Sequence, residues 1–255
     1  MWSAKIDNTV AAVVLAAGRG TRLGATDKPK VMAEIGGRPL VAYTVETLRA
    51  LGFPPERLCL VVGFRKETVQ DYFGTTITYA VQNEQQGTAH AAWCGVRELP
   101  AQIQMVLILG GDDSAFYTPG TLLHFMEQHR RADATMSVLT TQRDRPDQLG
   151  RIIRNAAGTL VRIAEKEELA PEEQVITEVN TGTYLVDRQW VERVFPTLAP
   201  IGGLKEYGLP ALVVSALLEG KTVQAVKLEN PEEWFGVNTS EELAEADRRK
   251  RLGSS

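Results

Sequence analysis

The sequence predicts an α/β protein built on a doubly wound, mostly parallel sheet. Three observations carry that expectation. Short continuous apolar runs, such as Val10–Ala17, Leu58–Val62 and Met105–Leu109, have the length of strands buried on both faces. Between them lie segments with apolar residues near the helical period. The residues suited to chemistry come after the apolar runs, at the strand ends where such sheets bind ligands. An apolar fraction of 44% and a charged fraction of 24% over 255 residues are ordinary for a globular chain, and the length suits one large domain, 1–255.

The first strand, Val10–Ala17, breaks into a loop holding Gly18, Gly20 and Gly24, with Arg19, Arg22, Lys28 and Lys30 around it. Small residues let a backbone pass close to a ligand, and successive amides form a concave anion site. The stretch predicts binding of a polyphosphate. It is not a P-loop, because no Gly-Lys-Ser/Thr follows Gly20. Nor is it the dinucleotide fingerprint, because Leu23 stands where a third glycine belongs. A plain strand-to-helix turn is the alternative for Gly18 and Gly20 alone.

Pro39–Leu51 reads as a helix stopped by Gly52 and Pro54-Pro55. Leu58–Val62 is a second strand, Lys66–Phe73 a short helix, and Thr76–Val81 a third strand. The polar stretch Gln82–His90 follows, and Thr88 is placed to cap the next helix. After the fourth strand, Met105–Leu109, come Gly110-Gly111-Asp112-Asp113. A carboxylate at the end of a buried strand can hold a cation, and magnesium takes few carboxylates with waters and phosphate oxygens. Pro119–Arg131 is a helix with Pro in its first turn. His124 and His129 within it are too badly spaced to share a metal. Thr135–Thr141 is a further strand, and Gly150–Arg154 with Leu160–Ile163 reads as a hairpin. Glu165, then Glu178-Val179-Asn180-Thr181-Gly182, offer paired donors and acceptors. Asn238 precedes a last helix, Ser240–Lys250, where capping is the competing role.

A net charge of −4 argues against nucleic acid as a partner. The basic run Arg248-Arg249-Lys250-Arg251 reads as a solvated helix end in a favourable dipole. Cys59 and Cys94 have no metal spacing and read as small buried residues in a reducing compartment. No signal peptide is recognisable, and Val10–Ala17 is too short to span a bilayer. A cytoplasmic protein with no membrane partner is the expectation.

Leu15-Ala16-Ala17-Gly18-x-Gly20-Thr21-Arg22, followed by Lys28-Pro29-Lys30, resembles the signature of the sugar-phosphate nucleotidyltransferases. The resemblance covers most of the chain. It points most to the pyrophosphorylase domain of the bifunctional N-acetylglucosamine-1-phosphate uridyltransferases, whose fold is Rossmann-like. It implies that a nucleoside triphosphate, UTP first and dTTP next, is joined to a sugar 1-phosphate, releasing pyrophosphate. It implies nucleotide contacts at Leu15, Ala16, Ala17, Gly18, Gly20 and Thr21. Arg22 and the loop amides would hold the outer phosphates, and Lys30 would bridge the α-phosphate and the sugar phosphate.

Gln82, four residues, then Gly87-Thr88 matches the family's pyrimidine-reading element, with Ala89 where relatives often carry Gly. Asp112 and the Asn238 of Gly236-Val237-Asn238 match its Mg2+ ligands. Asp113 stands where relatives usually have an apolar residue. Gly150, Glu165 and Asn180 match its sugar contacts, in a second half of about 146–240 inserted after a nucleotide-binding half of about 1–145. Glu206-Tyr207-Gly208-Leu209-Pro210 departs, since relatives carry Tyr and Thr at positions 208 and 210 and use them on the sugar phosphate. That leaves the sugar open, N-acetylglucosamine 1-phosphate or another hexose phosphate.

Two other readings stay open: a cytidylyltransferase of an alcohol or sugar phosphate, and a non-catalytic regulatory subunit on the same fold. The sequence lacks the hexapeptide repeats of the bifunctional relatives, so acetyl transfer is not expected. An oligomer is compatible with all of this.

Overall fold

The computed structural model describes residues 6–20, 28–198 and 206–253. In chain order the strands are β1 (Val10–Ala16), β2 (Glu34–Ile35), β3 (Arg38–Pro39), β4 (Leu58–Val62), β5 (Thr78–Val81), β6 (Met105–Gly110), β7 (Met136–Gln142), β8 (Arg151–Arg154), β9 (Leu160–Ala164), β10 (Glu178–Asp187) and β11 (Val223–Lys227). The helices are α1 (Leu40–Ala50), α2 (Lys66–Phe73), α3 (Thr88–Arg97), α4 (Pro119–Arg131), α5 (Arg188–Val194), α6 (Leu209–Leu218) and α7 (Ser240–Leu252).

The main sheet has the order β11-β7-β10-β6-β1-β4-β5, with the β8–β9 hairpin attached to β10. β1 pairs in parallel with both β4 and β6. The chain therefore winds outward through β4 and β5, then returns to the other side of β1. The order reverses between β1 and β6, and a crevice opens beyond their carboxyl ends. The expected doubly wound, mostly parallel sheet is what forms. The antiparallel β10, wedged between β6 and β7, is a feature that apolar runs do not reveal, because side-chain alternation carries no strand direction.

Alternate residues of β1 feed two cores. Ala12 and Val14 face α1 and α4, meeting Val45, Leu48, Leu122 and Phe125. Ala11 and Val13 face α3, α5 and α6, meeting Val96, Trp190 and Leu212. Both faces are covered, so β1, β4 and β6 are apolar throughout. Helix α3 lies tight on the sheet at Gly95, where a Cβ would come within 2.5 Å of a Val13 methyl carbon. A third cluster, with Ile35, Leu40, Val237 and Ala246, sits under α7.

Boundaries differ from expectation at a few points. The third strand starts at Thr78, not Thr76, because the Thr76 hydroxyl donates to Phe73 O at 2.7 Å and closes the end of α2. Thr88 is the first residue of α3 and not its cap; Gly87 holds that position. Cys59 is buried, and burial pushes its thiol up to about 12. Cys94, expected to be buried, is only half-buried. His129 is buried on α4 with Nδ1 2.7 Å from Ser137 Oγ, and burial brings its imidazole down to about 4. Among the described residues no helix is long and apolar enough to cross a membrane.

Candidate functional site

The crevice beyond β1 and β6 gathers residues from distant parts of the sequence. The loop after β1 emerges from buried Ala16 and Ala17 and is exposed at Gly18. Leu15 O accepts from Gly111 N at 2.9 Å, tying the end of β1 to the residues after β6. Gly20 has φ +68°, and a Cβ there would lie 2.5 Å from the Lys30 Cβ. Glycine at this position therefore lets the Lys30 backbone and stem pack on the loop. Thr21 and Arg22, expected to join it, lie outside the described residues.

Lys30 reaches from there into the crevice. Its ammonium donates to Asn238 Oδ1 at 2.8 Å and forms an ion pair with Asp112 Oδ2. Asp112 follows β6, and its carbonyl accepts from Val237 N at 3.1 Å, which sets Gly236–Asn238 against it. Asn238 does not cap α7. That role falls to Thr239, whose hydroxyl accepts from Glu242 N at 3.2 Å while the Glu242 carboxylate accepts from Thr239 N at 2.9 Å and Asn238 N at 2.5 Å. The Asn238 side chain is left to the crevice. Asp112 and Asn238 thus present two oxygens to one cationic centre, a donor set that suits magnesium.

The Asp113 carboxylate lies against Gly110 and Gly182. Its Oδ1 is shut off from solvent and has no hydrogen-bond partner among the described residues. Burial, then the Asp112 carboxylate, push its carboxyl well above the usual range, against the pull of Lys30. The chain makes room for it with glycine: a Cβ at Gly110 would sit 2.6 Å from its Oδ1, and one at Gly182 3.2 Å from its Oδ2.

On the other side of β1, Gln82 follows β5 and is buried, with Nε2 donating to Gly87 O at 3.0 Å. Gln85 Nε2 donates to Ala17 O at 2.8 Å, so this loop and the glycine loop share a wall. A cleft of about 480 Å³ lies here, lined by Arg19, Gly63, Gln82 and Gln85. Gly87 has φ +100°, and Tyr207 crosses directly over it. Tyr207 N donates to Gln86 O, and Ala89 N donates to Tyr207 O, both at 2.7 Å. The Thr88 hydroxyl accepts from Leu209 N at 3.0 Å. The segment Glu206–Pro210 therefore straps down the Gln82–Thr88 loop. Its departures have a local reason: Gly208 caps α6 and Pro210 sits in the first turn.

The three residues matched to sugar contacts come together. Asn180 N donates to Gly150 O at 2.9 Å. A Cβ on Gly150 would lie 3.4 Å from Glu165 Oε1. Asn180 Oδ1 accepts from Gly182 N at 2.9 Å, and Nδ2 donates to the buried Tyr184 hydroxyl at 2.7 Å, which orients the amide. Burial, then Glu168 and Glu167, raise the Glu165 carboxyl above its ordinary range. Asn180 lies at the start of its strand. Because β10 runs antiparallel, that start falls at the same end of the sheet as the carboxyl ends of β1 and β6. Glu178 is committed elsewhere, bonded to Arg154 and Thr140.

Sequence reasoning missed Arg143. It follows β7 and lies over the Trp234 ring at 5.0 Å, donating to Trp234 O at 2.7 Å. With Leu149, Asn238 and Glu242 it lines a cleft of about 700 Å³. Its place after a buried strand was the available signal.

A family model described as nucleotidyl transferase matches residues 11–249. The chain is 38% identical over 245 residues to the bifunctional protein GlmU of Geotalea daltonii, covering 95% of this chain and 53% of that one. It is 37% identical over 246 residues to the bifunctional protein GlmU of Geotalea uraniireducens, covering 96% and 53%. The chain spans about half the length of the curated relatives it matches. A crystal structure from Bacillus anthracis, provisionally designated a glucose-1-phosphate thymidylyltransferase in complex with a sucrose, superposes with a TM-score of 0.76 at 19% identity, covering 95% of each chain. That likeness is one of fold. With the family match running from β1 into α7, the chain belongs to the nucleotidyl transferase family.

Proposed function

We propose that the protein joins a nucleoside triphosphate, UTP before dTTP, to a sugar 1-phosphate and releases pyrophosphate. The convergence of Lys30, Asp112 and Asn238 beside the glycine loop carries this reading. In the reaction a phosphate oxygen of the sugar 1-phosphate attacks the α-phosphorus in line. The new P–O bond forms as the bond to the β-phosphate oxygen breaks, and pyrophosphate leaves with the electron pair. No enzyme nucleophile is required, so rate comes from positioning and neutralised charge.

Amides of the Gly18–Gly20 loop and Arg22 hold the outer phosphates. Lys30 offers its ammonium to the α-phosphate and the sugar phosphate, both anionic when they approach. Asp112 and Asn238 would hold Mg2+, which supplies further neutralisation of phosphate charge. Gln82 and Gly87 face the edge of the base, and Thr88 keeps their loop on α6. Gly150, Glu165 and Asn180 bind the hydroxyls of the sugar, N-acetylglucosamine 1-phosphate or another hexose phosphate.

The test is pyrophosphate release with Mg2+, crossing the nucleoside triphosphates with a panel of sugar 1-phosphates. A preference for UTP with a hexosamine phosphate is expected. Preference for CTP would move the protein to the cytidylyltransferases, and silence from folded protein across the panel would refute the reading. Asp112→Ala is expected to abolish turnover while the fold survives; near-normal turnover would sink the metal assignment.

A further inference from the structure

We infer that His90 sets the base preference of the nucleotide pocket by fixing which way the Gln82 side-chain amide points. The inference rests on the base-reading role given above to Gln82. It begins with the Gly87 carbonyl, which can only accept. The Gln82 atom 3.0 Å from it is therefore the nitrogen, Nε2. The same nitrogen lies 3.1 Å from His90 Nδ1. One N–H goes each way, so Nδ1 accepts and a neutral His90 carries its proton on Nε2. That second nitrogen faces Cys94 Sγ at 3.8 Å.

The imidazole is held in place from the side. Its ring stacks on Phe195 at 6.2 Å between centroids, 24° from parallel. Phe195 stacks in turn on Trp93 at 5.0 Å and leans on Tyr207 at 5.8 Å. Gln82 itself is only 4% exposed, so water cannot replace a lost partner at its nitrogen. Turning the amide over would set Oε1 against a carbonyl oxygen and a ring lone pair at once. That arrangement leaves buried polar atoms facing like partners, which is costly.

With both N–H groups committed, Gln82 shows the pocket an acceptor, Oε1. Uracil and thymine carry an N–H at position 3, between two carbonyls, and can donate to it. Cytosine carries a lone pair there and would oppose it. His90 does not touch the base; it is a positioning residue acting through Gln82, and the pocket it enforces takes a uridine or thymidine nucleotide.

His90→Phe keeps a ring on Phe195 and removes the Nδ1 acceptor. The measurement is kcat/KM with UTP and with CTP for the wild type, His90→Phe, Gln82→Ala and the double variant. A tenfold or greater fall in the UTP-to-CTP ratio is expected for His90→Phe, on the order of what one unsatisfied buried group costs. Most of the change should lie in KM for UTP. His90→Gln, whose side-chain oxygen can accept, should restore part of the ratio. In the Gln82→Ala background His90→Phe should change the ratio no further.

Nitrogen-15 NMR of the wild-type imidazole supplies a reading independent of turnover and of variant folding: Nε2 protonated, Nδ1 bare. A proton on Nδ1, an unchanged ratio, or an equal loss with both nucleotides would overturn the role of His90 while leaving the base-reading role of Gln82 intact. A wild type that favours CTP, or binds neither nucleotide, would overturn that base reading and the inference with it.

Discussion

Gly87→Ala tests the strap that joins Tyr207 to the Gln82–Thr88 loop. Gly87 has φ +100° and ψ 177°, a backbone region that is essentially confined to glycine. Forcing a side chain into it costs about 1–3 kcal/mol. The new Cβ would also meet Tyr207 O at 2.6 Å and Tyr207 N at 2.8 Å, both backbone atoms that cannot rotate away. Relief requires the strap to lift, which breaks the two Tyr207 backbone bonds to Gln86 and Ala89. At about 0.5–1.5 kcal/mol for each, the whole change comes to about 2–6 kcal/mol. Urea unfolding followed by linear extrapolation measures it. KM for UTP should rise at least tenfold in the same variant, because Gly87 O anchors the Gln82 amide. Gly18→Ala is the control: its Cβ would meet nothing within 4 Å among the described residues, so stability should stay within about 0.5 kcal/mol of wild type. A Gly87→Ala protein as stable as wild type with unchanged KM would refute the argument.

Other expectations follow from the same geometry. Lys30→Met removes the ammonium from Asp112 and Asn238. Turnover should fall by about 10²–10³, as for other preorganised charge-stabilising groups. Without substrates, however, the variant should bind Mn2+ more tightly, because a competing cation is gone; unchanged affinity by calorimetry would count against a shared cation position. His129 gives a stability prediction with a definite sign. Its folded value of about 4 lies below the ordinary 6.5, so the folded state binds fewer protons. Its contribution is complete above pH 6.5 and is lost as pH falls towards 4. At about 1.4 kcal/mol for each tenfold change in proton affinity, the loss is about 3 kcal/mol. Urea midpoints at pH 7.5 and 4.5 should differ by less in His129→Gln than in wild type.

Much of this site could be read in the sequence wherever it follows a parallel strand. The loop after β1, Gln82 after β5 and Asp112 after β6 all sit where an apolar run ends, and that placement needs no knowledge of packing. Asn180 was found through its motif and not through position, because it opens an antiparallel strand and a linear pattern has no arrowhead. Asn238 was ambiguous for a related reason. A polar residue before a helix reads as a cap until Thr239 and Glu242 are seen to complete the capping box without it. The strap was invisible altogether. Its bonds are made by the backbone of Tyr207, and main-chain groups are the same in every residue. The link between His90 and Gln82 appears only when a loop and a helix turn are brought side by side.

Strand β10 has a consequence for how the molecule comes together. It is the ladder that joins β6, on one side, to β7 and β11 on the other. Its partners, such as Ile108 and Val138 beside Tyr184, are distant in the chain, and pairings of that kind form slowly. Until β10 docks, β6 is a bare apolar edge, Val106-Leu107-Ile108, of the sort that recruits other chains. Asp112 follows β6 and Asn238 comes after β11 in the chain, so the centre they share is complete only once β10 has brought the two parts of the sheet together. Tyr184→Ala should accordingly raise aggregation on refolding, scored by light scattering at matched final stability, more than an equally destabilising change in α2.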